Sequence, residues 1–240
     1  MAGMFGALAR SSDGGRSLEL DGVRASIVPA CPARSVVNSV VYSDATELER
    51  HLPRLAEEYE RAGVLAWTVW VPEHDRRAAQ ALEAAGHSFD AQPSAMVLAL
   101  DGFEPPAAVA ELDLIEPDMA SCARVNDIAY GFPGDFERAF SRLPDPPARL
   151  YLARVGGVPA STVVTYEEDG ECGVYLVATL PEVRGRGLAG AMVAHALSEA
   201  RERGCTTSSL QATARGRPVY ERLGYRPVGA LHMWERRRAA

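Results

Sequence analysis

The C-terminal part of the chain alternates apolar runs with amphipathic ones. Three runs have strand composition and are separated by glycine-rich or acidic turns: LYLARV (150–155), ASTVVTY (160–166) and CGVYLVAT (172–179). From Ala189, apolar or small residues recur at helical spacing, and Gly204 supplies a helix stop. SSLQAT then predicts a strand, Pro218 lies in the first turn of a short helix, and GALHMWER predicts the final strand. The pattern indicates antiparallel strands followed by alternating helices and strands.

The N-terminal half repeats the later part of this pattern. Its elements are a strand SVVNSVVY (35–42), a helix with Leu48, Leu52, Leu55 and Tyr59 on one face, a strand LAWTVWV (65–71), a short helix ending at Gly86, and a strand SAMVLAL (94–100). LEAAGH aligns with YERLGY at 220–225. We therefore expect an internal duplication, with domains 1–105 and 106–240 as pseudo-twofold halves around a linker at 101–111. The alternative is a chance similarity of two units.

Length and charge limit the classes of function. The 240 residues suit two compact domains, and 47% hydrophobic with 24% charged residues indicates a globular protein. A net charge of -7 argues against nucleic acid or an anionic membrane as partner. The four cysteines are far apart in sequence, which favours buried thiols in a reducing compartment over disulfides or a metal site. No apolar run has membrane-spanning length, so we expect a cytoplasmic protein.

Lysine does not occur in the sequence, since all 25 basic residues other than histidine are arginine. A phosphate-binding loop of the Walker A type needs a Gly-Lys pair, and Schiff-base catalysis needs a lysine amine. Both mechanisms are therefore excluded.

The stretch EVRGRGLAGAM (182–192) joins a predicted strand to a predicted helix through a glycine-rich turn. Amides at the start of a helix, together with the helix dipole, bind anionic oxygens, and Arg184 and Arg186 add positive charge. A pyrophosphate is the expected ligand. The glycine spacing from Gly185 to Gly190 also fits a Rossmann dinucleotide loop, but the loop follows an antiparallel hairpin, so that alternative is disfavoured.

RGRGLA (184–189) resembles the Arg/Gln-x-x-Gly-x-Gly/Ala signature of the GCN5-related N-acetyltransferases (GNAT), and LPEVRGRG and PVYERLGYRPVG extend the similarity. The resemblance covers roughly 112–235, and more faintly 22–100. It implies an α/β (α+β) tandem GNAT fold, with a mixed central sheet flanked by helices and a degenerate N-terminal half.

The resemblance also implies roles for individual residues. The loop would hold the pyrophosphate of acetyl-CoA, the co-substrate, through Arg184, Gly185, Arg186, Gly187, Leu188, Ala189 and Gly190. The preceding strand would pair with the pantetheine arm through Val177, Ala178 and Thr179. Tyr220 would be the general acid that protonates the leaving thiolate. The base is either Glu171 or water, and Glu171 shares a strand face with residues 173, 175, 177 and 179.

Other positions allow two interpretations or depart from the family. Ala214 stands where the family often has an asparagine that contacts the CoA arm. Arg215 and Arg217 either bind the adenosine 3′-phosphate or are solvated. Tyr130, Phe132 and Asp135 either shape the acceptor pocket or serve as core and turn residues, and His195 is read as structural. In the N-terminal half, Leu82 aligns with Tyr220, and the helix after residue 42 begins SDATELER, whose acidic residues repel phosphate.

The sequence thus predicts an N-acetyltransferase that acts on a primary amine, either a small molecule or a peptide, as a monomer or homodimer. The alternative is an acyl-CoA-binding sensor or scaffold without turnover. Tyr220 and the glycine loop favour the enzyme, whereas Ala214 favours the sensor.

Overall fold

A computed structural model describes residues 1–106, 113–132 and 134–238. Its helices are α1 (Ala2–Arg10), α2 (Ala45–Arg61), α3 (Arg76–Ala84), α4 (Met119–Tyr130), α5 (Asp135–Ala139), α6 (Leu188–Glu202) and α7 (Arg217–Arg222). Its strands are β1 (Arg16–Leu20), β2 (Val23–Ile27), β3 (Ser39–Tyr42), β4 (Ala66–Pro72), β5 (Ser88–Ala91), β6 (Ser94–Ala99), β7 (Asp113–Ile115), β8 (Ala148–Val155), β9 (Val158–Glu168), β10 (Glu171–Thr179), β11 (Thr207–Ala212) and β12 (Arg226–Arg237).

The chain divides into two compact units, but the division differs from the expected halves. The first unit runs to Pro93 and includes the C-terminal strand from Gly229, and the second spans Ser94–Val228. β6 belongs to the second unit because it pairs along its whole length with β11. β12 belongs mainly to the first because residues 231–237 pair with β4. Strand pairing, not sequence order, therefore sets the boundary. Residues 107–111 of the expected linker lie outside the described residues.

The first unit contains a mixed sheet in the order β1-β2-β3-β4-β12-β5, in which only the β3–β4 pair is parallel. Helix α2 packs its apolar face on the core of this sheet, as the periodicity predicts. The predicted strand 35–42 is wrong in its first half, which forms a 3₁₀ turn at Ser35–Val37. The reason is Asn38, whose buried amide accepts a hydrogen bond from Val28 N at 2.7 Å and donates one to Cys31 O at 2.9 Å. These bonds turn the backbone before β3 begins.

His87 is a buried base without a hydrogen-bond partner on either ring nitrogen among the described residues. Its ring meets Trp67 edge-on at 4.4 Å. Burial and the nearby Arg236 lower the pKa of His87 to about 4. Because the unfolded chain then binds the proton more tightly, stability is lost as pH falls from the ordinary histidine pKa toward 4.

We expect the free energy of unfolding to fall by about 2–3 kcal/mol between pH 7 and pH 4.5 through this residue alone. Urea denaturation at both pH values measures the effect. His87→Phe keeps a ring against Trp67 and should remove that share of the pH dependence. His74→Phe, at an exposed position, is the matched control and should leave it in place. An equal pH dependence in His87→Phe and in the wild type would contradict the assignment.

The second unit contains a mixed sheet in the order β6-β11-β10-β9-β8-β7, in which only β10 and β11 are parallel. Helix α6 packs on one face of the sheet, where its apolar side chains cluster with Val163 and Val174. Helix α4 packs against the other face, where Cys122 meets Thr162. Helices on both faces of a mixed sheet confirm the predicted fold class. No described helix is long and apolar enough to cross a membrane.

Strands β10 and β11 separate halfway along β10. Their ladder joins residues 171–174 to residues 207–210 and stops there, whereas β10 continues to Thr179. A bulge in the pairing of β10 with β9 lies between Tyr175 and Ala178, and Leu176 within it has φ 48°. A non-glycine residue at positive φ is strained, and bulges redirect a strand. The last residues of β10 therefore lie beyond the ladder with β11.

Candidate active site

The glycine loop after β10 ends at an open helix start. Gly185 and Gly187 both have φ 80°, a conformation that side chains with a Cβ rarely adopt. Gly187 is the N-cap of α6 and, as a glycine, has no side chain to cap the helix; no other described side chain accepts from its first amides. The amides at the start of the 15-residue helix therefore point out of the helix end without a side-chain acceptor. Together with the exposed Arg186, this end of α6 suits an anion.

Arg184 holds two elements of the site together. Its Nε donates to Thr179 O at 3.0 Å, and its Nη2 donates to Ala129 O at 2.6 Å. The guanidinium therefore fastens the end of β10 to the last turn of α4. These two bonds use two of the five N–H donors of the guanidinium, so Arg184 has a structural role in addition to any contact with a ligand.

The carbonyl groups at the end of β10 also have partners. Val177 O accepts from the Tyr130 hydroxyl at 3.0 Å, and Ala178 O accepts from Ser161 Oγ at 3.1 Å. Thr179 O accepts from Arg184. Among the three residues predicted to pair with pantetheine, Val177 is the one whose carbonyl accepts from a largely exposed side chain, because Tyr130 is 51% exposed. Tyr130 would therefore compete with an incoming amide at Val177.

Tyr220 lies on α7 within the core cluster that contains α6. Its ring packs edge-on against Tyr225 at 6.0 Å. Burial raises the pKa of the Tyr220 phenol, and the nearby Tyr130 phenol raises it further. Tyr130 donates to the carbonyl of Val177 and lies close enough to Tyr220 to affect its pKa, so both phenols are near the bulge of β10. Within the described part of the chain, no group hydrogen-bonds the Tyr220 hydroxyl, which leaves it available to a ligand.

Glu171 lies at the opposite end of β10 from the bulge. Its exposed carboxylate accepts a hydrogen bond from the Ser209 hydroxyl on β11. Val177 follows six residues later, a distance of up to about 20 Å along a strand. The sequence predicts that residues 171, 173 and 175 share one face of β10. The structure agrees at Gly173 and Tyr175, because the Tyr175 ring covers Gly173 and would lie 2.6 Å from a Cβ added there.

The remaining predicted residues lie around the site or away from it. Arg217 pairs with Glu221 at 2.7 Å, while Arg215 is exposed and makes no ion pair with any described residue. Ala214 lies in the exposed turn before α7. His195 contacts Glu199 at 3.2 Å, eight residues into α6. No three His, Cys, Asp or Glu residues in the described ranges are arranged to hold a metal ion.

Sequence reasoning missed Asp127, which connects the last turn of α4 to the start of α5. Its buried carboxylate accepts the backbone amides of Phe136 at 3.0 Å and Glu137 at 3.1 Å, at the start of α5. These bonds join the two helices on either side of Phe132. Asp135, which the sequence placed here, pairs with Arg138. A signal was available in the sequence: Asp127 lies near the C-terminal end of a helix, where the helix dipole disfavours a carboxylate unless hydrogen-bond donors from elsewhere stabilise it.

Comparisons with known proteins agree with this geometry. Residues 114–225 match the model of the acetyltransferase (GNAT) family. A GCN5-related N-acetyltransferase from Kribbella flavida superposes with TM-score 0.68 at 21% identity, over 97% of this chain and 92% of that one. A GCN5-related N-acetyltransferase from Sphaerobacter thermophilus gives TM-score 0.60 at 18% identity, over 91% of this chain and 78% of that one.

A third solved structure is a tandem GNAT protein from the clavulanic acid biosynthesis pathway, with TM-score 0.57 at 16% identity over 91% of this chain and 79% of that one. No curated protein matches the chain. The family match contains both the glycine loop and Tyr220, and the solved structures share the mixed α/β fold. The family match thus covers just under half of the chain, and these solved structures, at 16–21% identity, show that the fold is shared.

Proposed function

We propose that the second unit transfers an acetyl group from acetyl-CoA to a primary amine. The observation that carries this proposal is the open start of α6, which follows a strand that has left its partner. An anion-binding helix end beside a strand that extends past its ladder with β11 suits a ligand with a pyrophosphate and an amide-containing arm. The Tyr220 hydroxyl can also donate a proton to the leaving sulfur, a step that a protein which only binds acyl-CoA would not need.

Binding uses backbone groups more than side chains. The amides of Leu188, Ala189 and Gly190 would hold the pyrophosphate, with the α6 dipole and Arg186 as positive charge. The end of β10 would pair with the pantetheine arm after Tyr130 releases Val177 O. Gly185 and Gly187 allow the close approach that these backbone contacts require.

The transfer itself needs little from the protein. The amine nitrogen forms a bond to the thioester carbonyl carbon as the carbon–sulfur bond breaks. Tyr220 gives its proton to the departing sulfur, which would otherwise leave as a thiolate. The proton released by the amine passes to water. Glu171 is less suited to accept it, because its carboxylate is engaged by Ser209 at the far end of β10.

Glu171→Gln is accordingly expected to change kcat and kcat/KM by less than about twofold. The variant keeps a hydrogen-bond acceptor for Ser209 and removes only the basic carboxylate. In both proteins kcat/KM should rise with pH toward the pKa of the acceptor amine. Steady-state rates across that range measure the effect. A rate loss of about 10²-fold or more, with a changed low-pH limb, would instead identify Glu171 as the base.

For the first unit, we propose a degenerate GNAT module without its own co-substrate. Helix α2 follows β3, and its N-cap Asp44 accepts the amides of Thr46 and Glu47. That carboxylate occupies the helix end where a pyrophosphate would bind. The residue of the first unit that aligns with Tyr220 is Leu82, which is buried and has no proton to donate. The similarity to a tandem GNAT protein supports this reading. With both modules in one chain, we expect a monomer, located in the cytoplasm.

Two measurements test the proposed function. Calorimetry should detect binding of acetyl-CoA and CoA but not of NAD. A thiol-release assay on a panel of primary amines should then find at least one acceptor whose acetylation depends on the protein. Tight acetyl-CoA binding without thiol release from any amine would favour the sensor. Binding of NAD in place of CoA would contradict the assignment of the loop.

A further inference from the structure

The second unit contains a cavity of about 340 Å³ that the acetyl transfer does not use. It lies among the edge of β8, the segment that follows β7, and helix α6. Its apolar lining includes Leu114, Ile115 and Pro117. A volume of this size is within the range of small-molecule sites.

The cavity exists because β7 is short. The pairing of β7 with β8 ends where Ile115 meets Leu152. Pro117 follows, and a proline cannot donate to a ladder, so the chain leaves the sheet at this point. The edge of β8 from Arg149 to Tyr151 is left beside the cavity without a neighbouring strand on that side.

The α6 wall of the cavity is a fixed polar network. The Tyr151 hydroxyl donates to Glu199 at 3.1 Å, and Arg203 donates to Glu199 at 3.0 Å. His195 Nε2 lies 3.2 Å from the other Glu199 oxygen. Burial raises the pKa of Glu199, but the hydrogen bonds from Arg203 and Tyr151 outweigh it and hold the pKa below its usual value. The Glu199 carboxylate is therefore ionised at neutral pH, and Arg203 balances its charge within this wall.

Two further charged groups of opposite sign line the cavity. Glu116 comes from the segment after β7, is exposed, and has no hydrogen bond or ion pair with any described residue. Arg149 comes from β8, and its nearest ionic partner is Glu167 at 3.5 Å, which is too long for a strong hydrogen bond. The cavity thus offers one carboxylate and one guanidinium from different elements, next to an apolar surface.

We propose that this cavity binds a zwitterionic α-amino acid with an apolar side chain. Its ammonium group would meet the carboxylate of Glu116, and its carboxylate would meet the guanidinium of Arg149, which suits planar anions. The side chain would lie against the apolar part of the cavity lining. His195 at the cavity is about 12 Å along α6 from Gly187, so the site is separate from the glycine loop.

Calorimetry with L-leucine, in the absence of any CoA compound, tests the proposal independently of the acetyl transfer. We expect saturable binding at millimolar concentrations or tighter. L-Leucinamide lacks the carboxylate and N-acetyl-L-leucine lacks the ammonium group, so each should bind about tenfold more weakly or not at all. Binding of leucinamide as tight as that of leucine would overturn the zwitterion assignment. The absence of any leucine binding would overturn the site itself.

Two variants locate the binding. Glu116→Gln and Arg149→Gln should each weaken the leucine Kd by about tenfold or more. Arg154→Gln is the matched control, since Arg154 is on the same strand but pairs with Asp113 at 2.6 Å outside the cavity lining. It should leave the Kd unchanged. Leucine binding that survives both cavity variants would assign the ligand to another place, such as the acceptor pocket beside Tyr130.

Discussion

Replacing Tyr220 with phenylalanine is expected to lower kcat by about 10²–10⁴-fold, or roughly 3–5 kcal/mol of barrier. The ring keeps its packing against Tyr225, so the fold and the Kd of acetyl-CoA should change little. The loss belongs to kcat because the hydroxyl matters only once charge develops on the sulfur. Stopped-flow thiol release on a saturating amine measures the chemical step.

The pH profile gives a second readout for Tyr220. Burial raises the pKa of its phenol, and the proximity of Tyr130 raises it further. The phenol therefore keeps its proton beyond the usual tyrosine range, and activity that requires this proton declines only as pH rises above about 10. In Tyr220→Phe this high-pH limb should be absent.

Tyr225→Phe is a close control for the same chemical change. Its phenol is buried beside Tyr220, but its hydroxyl is paired with Ser208 at 2.6 Å. We expect this variant to lose about 1 kcal/mol of stability and to keep its kcat. If Tyr220→Phe turned over at nearly the wild-type rate, or if both variants lost the same activity, Tyr220 would not be the acid.

Replacing Gly187 with valine is expected to weaken CoA binding by about 10²-fold or more. The change removes hydrogen bonds between charged oxygens and backbone amides, each worth about 1.5–3 kcal/mol. It acts in two ways, since valine resists φ 80° and its side chain lies where the pyrophosphate would approach. Calorimetry with CoA measures the affinity, and thermal unfolding measures the stability.

Gly204→Val separates these two effects. Gly204 follows the other end of α6, about 25 Å away along the helix direction, with φ 100° and open space where a Cβ would lie. It carries comparable backbone strain, so both variants should lose similar stability. Only Gly187→Val should lose CoA affinity. Equal affinity in the two variants would remove the pyrophosphate from this loop.

Local signals in the sequence were enough to predict the parts of the site that depend on a few adjacent residues. The glycine loop, the helix α6 and the position of Tyr220 on a short helix all follow from spacing within about ten residues. Contacts between distant segments were not predictable in the same way. Arg184 bonds the carbonyl of Ala129, 55 residues away, and nothing near either residue indicates this.

The same distinction applies to the fold. Periodicity identified α2 and most strands. It could not show which sheet β6 and β12 join, because that depends on their pairing with β11 and β4, which are distant in the sequence. The bend at Asn38 could not be predicted from its neighbours, because its side chain bonds the backbone of Val28 and Cys31. Helix α1 was missed because AGMFGALAR is short and almost wholly apolar, and a short apolar run does not by itself distinguish a helix from a strand.

The assignment of β12 to the first unit has a consequence for folding during synthesis. Residues 1–93 emerge from the ribosome first, yet β4 and β5 both pair with β12, which is made more than a hundred residues later. The second unit is contiguous and holds all its strands once residue 228 has emerged. The domain translated first is thus the one completed last, and in the interval the edges of β4 and β5 are open to other chains.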